Sequence, residues 1–228
     1  MPPSTSKRLI ITLENSKSPI SESYRMLRSN LDFTSFDNNE KILMITSASP
    51  SEGKSTTTAN LAIVYAQSDK RVLLVDADLR KPTVHLSFNR SNRSGLSNIL
   101  VGQAEWKECI QSGGIDNLSL ITAGPVPPNP SELLSSKRMK QFIDEVKDEF
   151  DIILFDTSPV LAVTDAQVVA AYCSGAILVA DSGKTKKDIL FKAKSTLERA
   201  NARILGVVLN NVSRAKGDSY YYNYYGSK

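Results

Sequence analysis

The sequence predicts an α/β fold: a doubly wound, mostly parallel sheet with helices on both faces. Two observations carry this. Short β-rich runs alternate with helical stretches along the chain, the pattern of a sheet wound through crossover helices. Four of the runs are also continuously apolar, as strands covered on both faces must be. In chain order the strands are expected at 41–47 (KILMITS), 71–78 (RVLLVDAD), 118–123, 151–157 (DIILFDT), 175–181 and 204–210. Helices are expected near 55–68, 131–149, 165–174 and 185–200. Residues 1–20 are polar, carry Pro2, Pro3 and Pro19, and read as a mobile N-terminal arm. Residues 213–228 hold no aliphatic side chain larger than Ala215 and read as a flexible C-terminal tail. A single domain over 21–212 lies between them.

Composition narrows the function classes. The 228 residues are 41% hydrophobic and 23% charged, as in ordinary globular proteins. No apolar run is long enough to span a bilayer, and no signal peptide is read at the N-terminus. Cys109 and Cys173 lack CxxC spacing, so buried, reduced thiols and a cytoplasmic chain are expected. The net charge of +4 is dispersed, with acidic residues between most lysines and arginines. That pattern gives no reason to expect a nucleic-acid partner.

The chemistry is written at strand ends. The strand 41–47 runs into Ala48-Ser49-Pro50-Ser51-Glu52-Gly53-Lys54-Ser55-Thr56, and a helical pattern follows. Strand, loop and helix fall where a P-loop needs them, although Ala48 stands at the first glycine position. Residues 51–56 would cradle the phosphates of ATP with backbone N–H groups at the helix start. Gly53 would admit a close backbone approach, Lys54 would reach the β/γ-phosphates, and Ser55 would ligate Mg²⁺. Asp76 and Asp78 close one strand at a spacing that puts both side chains on one face, and Asp156 closes another. Three carboxylates at the carboxyl edge of the sheet could hold Mg²⁺ or take a proton from a nucleophile. The fold is thereby P-loop NTPase-like. His85 and Trp106 read as structural and core residues.

These motifs, with AGPVPPNPSELL at 123–134, IILFDTSP at 152–159 and ILGVVLNN at 204–211, closely resemble the bacterial tyrosine kinases of the CpsD/CapB type. The resemblance covers roughly 18–228 and implies transfer of the ATP γ-phosphoryl group to tyrosine. It implies that Lys54, Ser55 and Thr56 hold phosphate and Mg²⁺. Asp76 and Asp78 form a pair in which one polarises the tyrosine hydroxyl and the other helps hold Mg²⁺, and Asp76 is favoured as the base. Asp156 is the second metal-side carboxylate. Arg80 and Lys81 could neutralise phosphate or form a solvated basic turn. Asn210 could contact adenine or cap a turn. The chain departs from the family at Ser158, where the family often has proline; no catalytic group is lost.

Glu22, Arg25 and Arg28 match a family motif implicated in packing subunits into a ring. Tyr220, Tyr221, Tyr222, Tyr224 and Tyr225, five of the chain's eight tyrosines, read as the autophosphorylation site. The resemblance further implies a transmembrane modulator that recruits the chain to the inner face of the membrane, other protein substrates, a cognate tyrosine phosphatase, and a role in capsular or exopolysaccharide synthesis. The rival is a positioning ATPase of the MinD/ParA type. That group carries a signature lysine five residues before the P-loop lysine, where this chain has Ser49.

Overall fold

The computed structural model describes residues 10–34 and 41–213. The chain opens on α1 (Ile11–Glu14) and α2 (Pro19–Thr34), followed by β1 (Ile42–Ser47), α3 (Lys54–Ala66) and β2 (Val72–Asp76). Three short helices come next: α4 (Val84–Ser87), α5 (Leu96–Val101) and α6 (Trp106–Cys109). The strands β3 (Ile110–Ser112) and β4 (Leu118–Ile121) precede α7 (Pro130–Leu134), α8 (Lys137–Val146) and β5 (Ile152–Asp156). The chain then runs through α9 (Asp165–Ala170), β6 (Gly175–Asp181), α10 (Lys187–Arg199) and β7 (Ile204–Asn210). Among the described residues, seven strands form one sheet in the order β3-β4-β2-β5-β1-β6-β7. All pairings are parallel except β3 against β4.

Strand periodicity splits the core in two. Leu43, Ile45, Val72, Leu74, Ile152 and Leu154 pack on one face, against α3 and the start of the chain. Met44, Leu73, Val75, Ile153 and Phe155 pack on the other, with residues of α5, α8, α9 and α10. Burying both alternating sets is what makes these strands apolar without interruption. Trp106 belongs to the second cluster and meets Phe150 edge-on at 6.3 Å, so its core assignment holds. Cys109 is buried and Cys173 half-buried, both free thiols.

Several expected boundaries shift for local reasons. The helix expected over 131–149 is two helices, because Ser136 caps α8 by accepting a hydrogen bond from the Met139 N–H at 3.3 Å. The strand expected to reach Asp78 ends at Asp76, so the two carboxylates do not share a strand face. The edge strand β3 and the helix α2 were not anticipated as elements. Residues 10–16, assigned to the arm, are docked: Ile10 is buried in the core, and Thr12 is fully buried.

One side chain of α3 satisfies both buried donors of Thr12. Asn60 Oδ1 accepts the Thr12 N–H at 3.0 Å and the Thr12 hydroxyl at 2.9 Å. Asn60→Ala leaves both donors buried without a partner. The substitution is expected to cost about 1–3 kcal/mol, read as a lower urea midpoint, and to expose residues 10–16 to proteolysis. A wild-type midpoint would show that the segment is held otherwise.

Candidate active site

The loop 48–53 leaves β1 at the carboxyl edge of the sheet, where open parallel sheets bind ligands. Its left-handed residues are Ser51 (φ 66°) and Gly53 (φ 98°). Ala48 is not among them and is buried in the core. The motif's first glycine is therefore dispensable here. Gly53 is not: a Cβ there would lie 1.9 Å from Asn210 Nδ2. Asn210, at the end of β7, donates that amide to the Glu52 carbonyl at 3.1 Å. It is thus a latch beneath the loop. Glu52 braces the loop from within. Its carboxylate accepts the Ser49 N–H at 3.0 Å and the Thr185 hydroxyl at 2.6 Å.

Lys54 begins α3 and points into a nest of carboxylates. Its Nζ lies 2.9 Å from Asp78 Oδ2 and 3.6 Å from Asp156 Oδ1. It also donates to Ser55 Oγ at 3.1 Å. Asp76, Asp78 and Asp156 are all buried. The β2–β5 register sets Asp76 directly beside Asp156. Burial, together with the neighbouring Asp156 charge, pushes the Asp76 carboxyl well above its ordinary range. Burial likewise raises Asp156, with Lys54 opposing it. For Lys54, burial acts downward, but Asp156 and Asp78 outweigh it and hold the ammonium more firmly protonated.

Asp76 and Asp78 are used differently. Asp76 Oδ2 accepts the Thr83 and Val84 N–H groups, each at 2.9 Å, and Oδ1 accepts the Asp78 N–H at 3.2 Å. Its oxygens face backbone. Asp78 instead lines a cavity of about 590 Å³, together with Ser51, Gly53, Lys54, Ser55 and Thr56. Arg80, Lys81, Ser158 and Pro159 line it too. Sequence reasoning missed Thr58, whose hydroxyl reaches Asp156 Oδ1 at 3.4 Å. A second polar position one turn past Lys54 was the available signal.

One feature speaks for a cation. Asp156 Oδ2 is buried and has no hydrogen-bond partner. Among the described residues, no group of three His, Cys, Asp or Glu side chains makes a metal cage by itself. Mg²⁺ asks for no such cage, since it is usually held by one or two carboxylates, waters and substrate phosphates. Asp156, Asp78 and the Ser55 hydroxyl fit that donor set.

The remaining sequence candidates scatter. Glu22 and Arg25 form an exposed pair at 2.9 Å on α2. Arg28 turns inward and donates to the Val64 carbonyl at 2.8 Å. Ile20, Met26 and Phe33 of the same helix are exposed. His85 is half-buried on α4. Tyr220, Tyr221, Tyr222, Tyr224 and Tyr225 lie outside the described residues. Among the described residues, no helix is long and apolar enough to cross a membrane.

A family model described as an AAA domain matches residues 40–184. Tyrosine-protein kinase YwqD of Bacillus subtilis is 46% identical over 222 residues, 97% of this chain and 93% of the relative. Putative tyrosine-protein kinase CapB of Staphylococcus aureus is 43% identical, covering 92% of each chain. The crystal structure of the chimerical protein CapA2B2 superposes with a TM-score of 0.87 at 40% identity, over 91% of this chain and 92% of that one. The cell-division ATPase MinD of Pyrococcus furiosus shares the nucleotide-binding fold at a TM-score of 0.66 and 28% identity, over 78% and 74% of the two chains. With a phosphate loop, buried strand-end carboxylates and relatives matched along nearly their whole length, the chain belongs to the bacterial tyrosine-protein kinases.

Proposed function

We propose that this tyrosine kinase phosphorylates its own C-terminal tyrosine cluster in trans, with Mg²⁺, within a ring-shaped homo-oligomer. In this reading a transmembrane modulator recruits it to the inner membrane face, a tyrosine phosphatase reverses the modification, and the cycle serves capsular or exopolysaccharide synthesis. The observation that carries the reading is the Lys54–Asp78–Asp156 cluster, whose Lys54 and Asp78 line a cavity of about 590 Å³, in a chain with five tyrosines clustered at 220–225. The names CapB and CapA2B2 belong to those proteins and lend the capsule and modulator parts their support. The exposed apolar residues of α2, beside Glu22 and Arg25, suit a subunit contact. An exposed ion pair alone is worth only about 0–1 kcal/mol.

Catalysis in this site is positioning and charge neutralisation. Lys54 and the N–H groups of 51–56 would face the phosphates, and Asn210 and Glu52 keep the loop in shape for them. Ser55 and Asp156 would hold Mg²⁺, which would neutralise charge developing on the phosphoryl oxygens. Asp78 is the carboxylate that borders the cavity, so we assign it, rather than Asp76, the proton leaving the tyrosine hydroxyl as that oxygen bonds the γ-phosphorus and the β–γ bridging oxygen departs with ADP. Asp76 holds the turn at 83–84 in place.

The test is incubation of the chain with γ-labelled ATP, Mg²⁺ and the cytoplasmic tail of a modulator. Phosphotyrosine is the expected product. Free phosphate alone would favour a positioning ATPase, and neither product would leave a nucleotide-binding subunit.

A further inference from the structure

Arg80 is exposed in the turn after β2, yet its guanidinium is not free. Its guanidinium forks onto one carboxylate 85 positions away: Nε donates to Asp165 Oδ2 at 2.8 Å and Nη2 to Oδ1 at 3.0 Å. Asp165 is fully buried at the start of α9. Two further hydroxyls converge on it. Ser131 of α7 donates to Oδ1, and Ser158, just past β5, donates to Oδ2 at 3.3 Å. Arg80 Nη2 also reaches Ser131 Oγ at 3.3 Å. Burial acts to raise the Asp165 carboxyl, but these hydrogen bonds outweigh it and hold the group below its ordinary value.

A buried carboxylate that accepts from both serine hydroxyls is held in place, and so fixes the plane of the arginine that forks onto it. The fork uses one edge of the guanidinium and leaves Nη1 on the other. Arg80 is itself exposed and lines the same cavity as Lys54, Ser55, Asp78 and Ser158. Lys54 is already engaged by two carboxylates, and Lys81, which lines the same cavity, offers a point charge without a fork; Arg80 is held directionally and keeps one edge outside its fork. Because its charge is balanced by Asp165, it adds geometry more than net attraction. Ser158 takes on meaning here. A proline at that position could not supply the hydroxyl to Asp165.

We propose that Asp165 is a positioning residue for phosphoryl transfer, holding Arg80 so that its free edge donates to the phosphoryl group in transit, with Ser131 and Ser158 locking the carboxylate. This rests on the tyrosine kinase reading. It predicts a loss in kcat rather than in ATP binding, because the donor is aligned for charge that develops during transfer.

The full chain is assayed with Mg-ATP and a tyrosine-rich acceptor peptide, reading kcat, KM for ATP and equilibrium ATP binding. Asp165→Asn and Arg80→Ala are each expected to lower kcat by roughly 10- to 100-fold, the scale for partners that orient a functional group, with ATP binding little changed. Arg80→Lys should not restore the rate, since an ammonium has no fork. The double variant should be no slower than Arg80→Ala, because Asp165 acts only through Arg80. Arg80→Ala strands a buried carboxylate, so Ser158→Ala and Ser131→Ala serve as milder variants; each should lower kcat in a chain of wild-type thermal stability. Full kcat in folded Asp165→Asn, multiplicative losses in the double variant, or unchanged kcat in both serine variants would overturn the positioning role alone. A parent chain that forms no phosphotyrosine would overturn the kinase reading, and this role with it.

Discussion

Lys54→Met is expected to lower phosphotyrosine formation by at least about 10²–10³-fold, the scale for removing one preorganised charge-stabilising donor. Lys54 supplies the ammonium at the base of the phosphate loop, within 3.6 Å of both Asp78 and Asp156. The substitution also has a structural consequence. The ammonium is buried, and its loss leaves Asp76, Asp78 and Asp156 crowded without the cation that balances them. Breaking a buried pair in this way typically costs about 3–5 kcal/mol, lessened here as the carboxylates take up protons. The variant should therefore melt earlier than the parent yet stay folded at room temperature, a point for circular dichroism. Lys54→Arg, which keeps the charge, should keep more stability but regain little activity, because the planar fork does not fit a point-charge site. Wild-type labelling in Lys54→Met would remove the phosphate loop from the chemistry.

Asp78→Asn is expected to slow transfer by about 10²–10⁴-fold, the range for a lost general base, while ATP still binds. Asp76→Asn should behave differently. Its new amide N–H₂ would oppose the Thr83 and Val84 N–H groups that now donate to Oδ2. The first effect should be a lower melting temperature and only secondarily a slower rate. Single-turnover rates and melting curves on both variants separate the two roles. A stable Asp76→Asn protein with the larger rate loss, beside an active Asp78→Asn, would exchange them.

The contrast between these two aspartates shows where the sequence stops being legible. Strands such as β1, β5 and β6 could be read because burial on both faces leaves an unbroken apolar run. The loop after β1 could be read because its residues are consecutive. β3 could not: it is three residues long, only part-buried, and pairs on a sheet edge. The spacing of Asp76 and Asp78 suggested a shared face, but the chain leaves the strand between them, and no local signal marks that turn. Contacts distant in sequence were equally silent. Arg80 finds Asp165, Glu52 finds Thr185, and Asn60 finds Thr12 only once the sheet has assembled. Ser158 looked like an inert departure from a family pattern, and its hydroxyl proves to be part of the Arg80 anchorage.

In the proposed reaction one subunit phosphorylates the tail of another. It is tested most directly by mixing two proteins. One carries Lys54→Met and the natural tail. The other is active but has phenylalanine at Tyr220, Tyr221, Tyr222, Tyr224 and Tyr225. With γ-labelled ATP, Mg²⁺ and the modulator tail present, phosphotyrosine is expected on residues 220–225 of the inactive partner, absent when either protein is incubated alone. Label confined to the body of the active chain, with the partner's intact tail unmodified, would contradict the account.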